Sequence, residues 1–361
     1  MLKTLRHILF PFSLIYGGII RMRNQLFDKN ILRSATFDFP LICIGNLAVG
    51  GTGKTPMVEY LLRILNEKFK VATLSRGYKR KSKGFIIANE NTTAFEIGDE
   101  PMQIHKKFPG ITVAVAEERI MGIPQVLNDK PGTEIIILDD AFQHREVKAG
   151  LNILLSDYNH LYTKDFLLPT GNLRDLKSSS KRAEILIVTK CKSNLTEGEK
   201  KDILQQINPL PSQKTYFTKI IYGDPYQLFS KEKITLDKKS DIVLITGIAN
   251  PEPIEGFLKN AVADFKIMRF KDHYNYQADD IRKITGQFSK IENPNKIILT
   301  TEKDAVRLFK FKNEMENLPL YVLPMEHEFL FNEGANFENE VIRFVDSYKK
   351  NNNEQISNLE N

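Results

Sequence analysis

The first half of the chain alternates between short apolar runs and stretches with a helical repeat. Residues 57–65 place their apolar side chains at the spacing of one helical face. Six apolar runs are typical of buried parallel strands, and they cover residues 41–44, 71–74, 112–115, 135–138, 151–155 and 185–188. The alternation predicts a parallel sheet covered by helices on both faces, with ligands bound where the strands end.

A second alternating pattern begins near residue 240 and predicts a smaller α/β unit. Its predicted strands cover residues 242–246, 265–270, 297–300 and 319–323, and its predicted helices cover residues 252–263, 277–290 and 303–310. The aromatic and β-branched stretch 214–235 is interpreted as a β-ribbon linker between the two units. The polar end, residues 349–361, is predicted to be a disordered tail.

Residues 1–33 are set apart by an excess of basic side chains around an apolar run from Ile8 to Ile20. Pro11 and Gly17 interrupt this run, which is shorter than the roughly 20 residues that a membrane-spanning helix needs. One interpretation is a segment that lies in the membrane interface and is attracted to anionic head groups. The other is a helix packed on the core of the protein itself. The pattern leaves both open.

Composition is that of an ordinary folded protein, with 42% apolar and 27% charged residues. The cysteines, Cys43 and Cys191, give neither a disulfide framework nor a metal-ligand spacing, which favours a reduced, cytoplasmic protein. The excess positive charge lies at the N-terminus without a basic stripe interleaved with aromatic residues, so nucleic-acid binding is not predicted.

The segment GNLAVGGTGKTP, residues 45–56, joins the first predicted strand to the first predicted helix. Glycines in such a loop let backbone N–H groups converge on phosphate oxygens, while Lys54 supplies a cation and Thr55 a hydroxyl for Mg²⁺. Ala48 stands where the usual pattern has glycine, but the strand–loop–helix context disfavours a turn without a ligand. We predict an ATP-binding P-loop domain over residues 34–213, with the nucleotide held by Ala48, Val49, Gly50, Gly51, Thr52, Gly53, Lys54 and Thr55.

Two carboxylates, Asp139 and Asp140, end the predicted strand at 135–138. In P-loop sites a carboxylate at this position holds Mg²⁺ or one of its water ligands. An ordinary strand that ends at a helix cap is the alternative, and the neighbouring phosphate loop favours the metal site.

Other polar residues follow predicted strands without a standard pattern. Asp99 precedes a predicted helix, where an N-cap is the common role, and His273 follows a strand of the second unit. Spacing alone assigns them no function, and the same holds for Asn46, Ser75, Arg76, Arg119, His144 and Arg174.

Taken together and in order, these motifs resemble those of the tetraacyldisaccharide 4'-kinase (LpxK) family. The matching segments are ICIGNLAVGGTGKTP (42–56), LSRGY (74–78), GDEP (98–101), LDDAFQHR (138–145), PTGNLRD (169–175), TGIANP (246–251), DHYNY (272–276) and TTEKDA (300–305). They span both predicted units. The resemblance therefore implies a P-loop NTPase-like domain followed by a smaller C-terminal α/β domain, residues 236–348.

The resemblance also implies roles for individual residues. Asp99 and His273 would form a catalytic pair that takes the proton of a sugar hydroxyl and assembles when the domains close, with Lys54 and Asp139 as further catalytic residues. The implied metal ligands are Thr55, Asp139, Asp140 and Asp175, the last standing where the family usually has Glu. The implied substrate-binding residues are Asn46, Ser75, Arg76, Arg119, His144 and Arg174.

The activity implied by the resemblance is transfer of the γ-phosphate of ATP, with Mg²⁺, to the 4'-hydroxyl of a tetraacylated glucosamine disaccharide 1-phosphate. This step of lipid A biosynthesis would take place at the cytoplasmic face of a Gram-negative inner membrane. The implied partners are the lipid substrate and anionic lipids, with no obligatory protein partner.

Two other functions remain open from the motifs themselves. One is a P-loop ATPase or ligase that acts on a soluble metabolite, and the other is a non-catalytic membrane adaptor switched by nucleotide. ATP turnover measured with and without a lipid acceptor distinguishes them from a lipid kinase.

Overall fold

The computed structural model describes residue 6 and residues 8–359, with side chains described up to Tyr348. The predicted fold class is confirmed: the chain forms two mostly parallel α/β sheets, one of nine strands and one of five. Long apolar runs at the sheet centres explain this, because strands covered by helices on both faces bury every side chain.

The larger sheet contains each of the six strands predicted for the first unit. In spatial order its strands are Met325–Phe329, Lys214–Tyr222, Ile185–Thr189, Leu151–Asp157, Leu41–Asn46, Ile135–Asp139, Val71–Ser75, Thr112–Val115 and Ile86–Ile87. Only the two outermost strands run antiparallel to their neighbours. In the strand Leu41–Asn46, Leu41 and Cys43 belong to one apolar cluster and Ile42 and Ile44 to another, one on each face of the sheet.

Helices cover both faces of the larger sheet. They are Lys54–Asn66, Ala94–Ile97, Asp99–Lys107, Arg119–Asp129 and Glu197–Ile207, with short 3-10 turns at Tyr162–Lys164 and Lys177–Arg182. A separate two-stranded parallel sheet pairs Ala35–Thr36 with Val147–Lys148. The helix Lys54–Asn66 buries the apolar face that its sequence predicts, including Met57, Leu61 and Leu65.

The smaller sheet holds the second alternating pattern. Its strands, in spatial order, are Tyr226–Gln227, Leu320–Leu323, Lys296–Thr301, Asp241–Thr246 and Asp264–Arg269. Its helices are Glu252–Ala261, Ala278–Ser289, Glu302–Leu308 and Lys312–Met315, with a 3-10 turn at Phe309–Phe311.

The link between the sheets differs from the predicted ribbon. Residues 214–235 do not form a ribbon by themselves; Lys214–Tyr222 pairs antiparallel with Met325–Phe329 and parallel with Ile185–Thr189. The ribbon strand therefore also belongs to the larger sheet. Pairing between segments so far apart in the chain has no local sequence signal, so the partners of Lys214–Tyr222 could not be predicted from the ribbon pattern.

The chain also returns to the larger sheet before it ends. In the last helix, Gly334–Leu359, Phe337, Val341 and Val345 are buried in one of the two apolar clusters of that sheet. The predicted boundary of the C-terminal unit at residue 348 thus differs from the structure, in which the smaller sheet ends at Leu323.

The tail from residue 349, predicted to be disordered, continues this helix through Leu359. Extending an existing helix adds one hydrogen bond per residue without a new nucleus, so polar residues can follow an anchored helix. Residues 360–361 lie outside the described residues.

The N-terminal segment forms a helix, Phe10–Asp28, and the interpretation of residues 1–33 as a helix packed on the protein applies to one of its sides. One side packs on the protein: Ser13, Gly17, Asn24 and Phe27 are buried. The other side is exposed and apolar, with Phe12, Leu14, Ile15, Ile19 and Met22 each more than half exposed. Residues 1–5 and 7 of this segment lie outside the described residues. Among those described, no helix combines the length and hydropathy of a membrane span.

We expect the docking of the last helix on the larger sheet to be a main source of stability. The Phe337 ring is buried and stacks on Phe329, with ring centroids 4.7 Å apart. Phe337→Ala should lower the free energy of unfolding by about 3–5 kcal/mol, since it deletes a buried ring and leaves a cavity. Urea titration measures the change, with the exposed Phe95→Ala as control. A decrease equal to that of the control would contradict this account.

Candidate active site

The phosphate loop lies at the carboxyl end of the strand Leu41–Asn46, near the middle of the larger sheet. Gly53 caps the helix Lys54–Asn66 with φ of 83°, a left-handed conformation that glycine adopts without steric cost. Lys54 begins that helix, and its Nζ atom lies 3.6 Å from Asp140 Oδ1. The loop thus presents a helix N-terminus and a lysine, the combination that binds phosphate.

Hydrogen bonds from neighbouring strands hold the loop in shape. Asn46 is completely buried; its Nδ2 donates to Thr52 Oγ1 at 3.0 Å, and its backbone oxygen accepts from Gln143 Nε2 at 2.8 Å. Thr189 Oγ1 donates to the Thr52 carbonyl at 2.8 Å. The structure therefore places Asn46 beneath the loop, where its side chain supports Thr52.

A buried histidine supports the same loop from the outermost strand. His327 Nε2 lies 2.9 Å from the Gly53 carbonyl oxygen, and Nδ1 lies 2.9 Å from Thr218 Oγ1. A carbonyl oxygen only accepts, so Nε2 carries the hydrogen and Nδ1 accepts from the threonine hydroxyl. Burial lowers the pKa of His327 to about 4, so the ring is neutral at pH 7.

The two strand-end carboxylates have opposite environments. Burial, with the charges of Glu100 and Asp140, raises the pKa of Asp139 to about 7. Burial also raises the pKa of Asp140, but hydrogen bonding from Arg174 and the charge of Lys54 outweigh it and bring the pKa to about 2. Two neighbouring groups pushed in opposite directions are characteristic of functional sites.

Arg174 connects Asp140 to the phosphate loop. Its guanidinium group binds both carboxylate oxygens of Asp140, with Nη1 3.1 Å from Oδ2, and Nη2 also donates to Asn46 Oδ1 at 2.5 Å. Arg119 is almost completely buried nearby, and its Nε and Nη2 atoms have no hydrogen-bond partner among the described residues. Nη1 donates to the Ala116 carbonyl oxygen at 2.5 Å. Since unpaired donors of a buried cation are costly, Nε and Nη2 fit an anionic ligand.

The residues at this edge fit a magnesium ion of the kind that keeps most of its water ligands. Asp139 Oδ1 is buried without a hydrogen-bond partner in the described part of the chain. The described residues contain no group of three or more His, Cys, Asp or Glu side chains that could hold a metal by themselves. Mg²⁺ bound with a nucleotide needs only one or two protein ligands, because phosphates and water supply the others.

Asp175, an expected metal ligand, has another position. Its Oδ1 accepts from Asn24 Nδ2 at 3.0 Å and from Ser179 Oγ at 2.8 Å, while Oδ2 accepts from Arg182 at 2.8 Å. Both oxygens are occupied and the side chain is buried. Asp175 therefore anchors the N-terminal helix to the loop that carries Arg174.

A second cluster surrounds Asp99, the first residue of the helix Asp99–Lys107. His273 Nδ1 lies 2.8 Å from Asp99 Oδ2, and Arg307 Nε donates to Asp99 Oδ1 at 2.9 Å. Burial raises the pKa of Asp99, but the hydrogen bonds from His273 and Arg307 more than offset it and bring the pKa to about 2. The structure thus brings the predicted pair together: Asp99 begins a helix that packs on the larger sheet, and His273 follows a strand of the smaller sheet.

The contacts of His273 determine its tautomer. Lys303 Nζ lies 3.0 Å from Nε2, and because an ammonium group can only donate, Nε2 accepts. Nδ1 then carries the hydrogen and donates to Asp99. Arg307 Nη2 also lies 2.9 Å from Nδ1, but two donors cannot bond each other, so both point at the same carboxylate.

The remaining predicted residues are divided between surface and interior. Ser75 is buried, and its Oγ accepts from the Gly77 backbone N–H at 3.3 Å, so it shapes a turn. Arg76 is exposed. Burial, with the charges of Arg119 and Arg76, lowers the pKa of His144 to about 4, so His144 lies near both arginines.

Sequence reasoning missed four residues that build these clusters: Gln143, Lys303, Arg307 and His327. A signal was present for two of them, since Lys303 belongs to the TTEKDA motif and Arg307, four residues later, shares its helical face. His327 had none, because its contact joins residues far apart in the chain.

Comparison with known proteins agrees across sequence and structure. A family model described as tetraacyldisaccharide-1-P 4'-kinase matches residues 5–345. Proteins named tetraacyldisaccharide 4'-kinase from Bacteroides thetaiotaomicron and Flavobacterium johnsoniae are 44% and 46% identical, and each match covers 95% of this chain and 94% or 98% of the relative. A crystal structure described as the apo form of LpxK from Aquifex aeolicus in complex with ATP is similar, with a TM-score of 0.74 and 31% identity over 94% of this chain and 99% of that one.

The neutral His327 predicts a pH dependence of stability. The unfolded chain binds a proton at this histidine below a pKa of about 6.5, whereas the folded protein resists protonation down to about 4. The contribution of the neutral His327 to the free energy of unfolding is therefore present at pH 7 and is lost as the pH falls from about 6.5 towards 4. In His327→Gln the pH slope of unfolding free energy in this range should decrease by about one proton; exposed His160→Gln is the control. An unchanged slope would contradict the assignment.

Proposed function

The chain belongs to the tetraacyldisaccharide-1-P 4'-kinase family, and we propose how its residues transfer the γ-phosphate of ATP to the 4'-hydroxyl of a tetraacylated disaccharide 1-phosphate. The observation that supports the proposal is a pair of residue clusters, one at the phosphate loop and one around Asp99. A phosphate loop lies on one sheet, and an Asp–His pair bridges that sheet to the other. Glu100 follows Asp99 in the chain, and its charge contributes to the raised pKa of Asp139.

In the proposed site the phosphate loop holds ATP. Backbone N–H groups of residues 48–53 and the N-terminus of the following helix would receive the phosphates, and Lys54 would neutralise the charge that develops on the transferred group. In the structure Lys54 contacts Asp140, and Arg174 binds the same carboxylate more closely. Arg174 thereby leaves Lys54 free to turn towards a nucleotide.

Thr55 and Asp139 would hold Mg²⁺. The support is the orphaned Asp139 Oδ1 atom and a raised pKa that reflects burial beside other carboxylates. When bound there, the ion would supply positive charge beside the phosphates of ATP. Deprotonation of Asp139 would then become favourable at neutral pH, because a nearby cation opposes the effect of burial.

Asp99 would accept the proton of the acceptor hydroxyl. In a loose phosphoryl-transfer transition state the nucleophile keeps its proton until the new bond has begun to form, so a weakly basic carboxylate is sufficient. Its main contribution is to orient the hydroxyl by a hydrogen bond. His273 Nδ1–H and Arg307 fix the carboxylate plane, and Lys303 fixes the imidazole tautomer.

The exposed apolar side of the helix Phe10–Asp28 would place the enzyme on the cytoplasmic face of the inner membrane. Exposed Arg21 and Lys29 lie on the same helix or just after it, where anionic head groups would attract them. Asn24 and Tyr16 tie the helix to the segment that carries Arg174, through bonds to Asp175 and to the Arg174 carbonyl oxygen. A lipid acceptor on the membrane would therefore meet the site directly.

We expect labelled ATP and the tetraacyl disaccharide 1-phosphate to give a lipid product labelled at the 4' position. His273→Ala should lower kcat about 100-fold, the usual range for loss of proton-transfer assistance, while the KM for ATP changes less than about threefold. His160→Ala, at an exposed histidine, is the control. An unchanged kcat in His273→Ala would contradict the catalytic pair, and labelled phosphate without labelled lipid would contradict the acceptor.

Membrane attachment can be tested on the exposed side of the helix. Ile15 and Ile19 are 63% and 55% exposed, so changing both to Asp removes apolar area without disturbing the buried side. The double variant should sediment with vesicles of phosphatidylethanolamine and phosphatidylglycerol about tenfold less than the parent, from the apolar area removed. Met121→Asp, at a similarly exposed apolar residue, is the control. Equal sedimentation of parent and double variant would place the attachment elsewhere.

A further inference from the structure

A buried ionic cluster lies apart from both the phosphate loop and Asp99. Lys107 Nζ lies 2.6 Å from Glu59 Oε2 and 2.5 Å from Glu302 Oε1. Glu59 is completely buried and Glu302 nearly so. The family match and the roles proposed above give these three residues no function.

Each member of this triad lies on an element that carries part of the site. Glu59 belongs to the phosphate-loop helix, Lys107 to the helix that begins with Asp99, and Glu302 to the helix that holds Lys303 and Arg307. Lys107 is therefore the point where three elements meet: two of the larger sheet and one of the smaller.

The helices Asp99–Lys107 and Glu302–Leu308 are joined at both ends. At one end Asp99 binds Arg307, and at the other Lys107 binds Glu302, so the two helices run antiparallel. At a rise of about 1.5 Å per residue, the two ion pairs are about 12 Å apart along the first helix. Two fixed points define the relative orientation of two helices, which one contact cannot do.

The same helix is fixed to the phosphate loop through Glu59. Gln103 Nε2 donates to Glu59 Oε1 at 2.8 Å, and Lys107 binds the other carboxylate oxygen. Four residues separate Gln103 from Lys107, so both lie on one face of the helix. Glu59 thus sets where the Asp99 helix lies on the phosphate-loop helix.

The ionisation of these three side chains indicates that they fix the arrangement of the helices that carry them. Burial and the charge of Glu59 raise the pKa of Glu302, whereas the two carboxylates outweigh burial and raise the pKa of Lys107, which stays charged. Buried ion pairs are often no more stabilising than apolar residues of the same size, because desolvation cancels their attraction. What they do supply is a unique arrangement of the elements that carry them.

We propose that the Glu59–Lys107–Glu302 triad positions the Asp99–His273 pair relative to the phosphate loop, with Lys107 as its central positioning residue. The triad touches neither the pair nor the loop and acts through the two helices. This inference rests on the catalytic roles proposed for Asp99 and His273.

Glu302→Leu tests the triad with the least disturbance. Leucine fills the space but cannot bind Lys107, and the remaining Lys107–Glu59 pair is neutral, so no uncompensated buried charge results. We expect kcat with the lipid acceptor to fall at least tenfold and the KM for ATP to change less than threefold. Glu302→Gln, which keeps the acceptor for Lys107, should stay within threefold of the parent.

The same change in a His273→Ala background separates positioning from general destabilisation. If the triad acts through the pair, Glu302→Leu should lower kcat less than threefold once His273 is gone. An equal fold decrease in both backgrounds, or no decrease in the parent, would overturn the proposal. His273→Ala alone tests the proposed pair, so failure of the pair and failure of the triad give different results.

Should Glu302→Leu be insoluble, the double variant Glu59→Gln with Lys107→Met removes one charge of each sign. It should give the same fall in kcat in the parent and the same loss of effect in His273→Ala. Thermal unfolding of each variant, compared at equal folded fraction, excludes loss of folded enzyme as the cause. An unchanged kcat in the folded double variant would likewise overturn the proposal.

Discussion

The binding of one carboxylate, Asp99, by side chains from the other sheet is the interaction on which the rest of the site depends. Asp99 opens a helix of the larger sheet, whereas His273 and Arg307 belong to the smaller one. A half-buried carboxylate tolerates this environment because charged and neutral donors compensate its loss of hydration. Since Arg307 binds both oxygens of Asp99 and His273 binds one of them, the carboxylate has one orientation. That orientation, together with a phosphate loop on the same sheet, is what phosphoryl transfer requires, because catalysis of that reaction rests on positioning and charge neutralisation.

The phosphate loop depends on buried polar residues rather than on its glycines alone. Asn46, Thr189 and His327 each bond to a backbone or hydroxyl group of the loop, from three different strands. Such groups are costly to bury unless every partner is in place, and here the partners belong to the loop. The outermost strand, which also pairs with Lys214–Tyr222 between the two sheets, thereby contacts the nucleotide site through His327. His327 therefore supports the phosphate loop and also belongs to the strand that pairs with Lys214–Tyr222.

Features with a local signal could be predicted from the sequence. The six strands of the larger sheet, the phosphate loop and the Asp139–Asp140 pair follow from short patterns of residues. Long-range features could not: the partner of Lys214–Tyr222, the return of the last helix and the Lys107 triad join segments distant in the chain. The contact of Asp175 with the N-terminal helix was equally beyond the motif, because Asn24 and Asp175 are distant in the chain. The buried side of the N-terminal helix carries Ser13, Gly17 and Asn24 beside Phe27, whereas the exposed side is apolar, so apolar spacing alone could not identify the buried side.

We propose that Asp99 and His273 act as one catalytic unit across the two sheets. A double-mutant cycle on kcat with the lipid acceptor, using Asp99→Asn, His273→Ala and the double variant, tests it most directly. Residues that act as a unit are strongly non-additive. If the two residues act as a unit, kcat of the double variant should equal that of Asp99→Asn alone, within a factor of about three. A double variant slowed by the product of the two single effects would show independent roles and contradict the account.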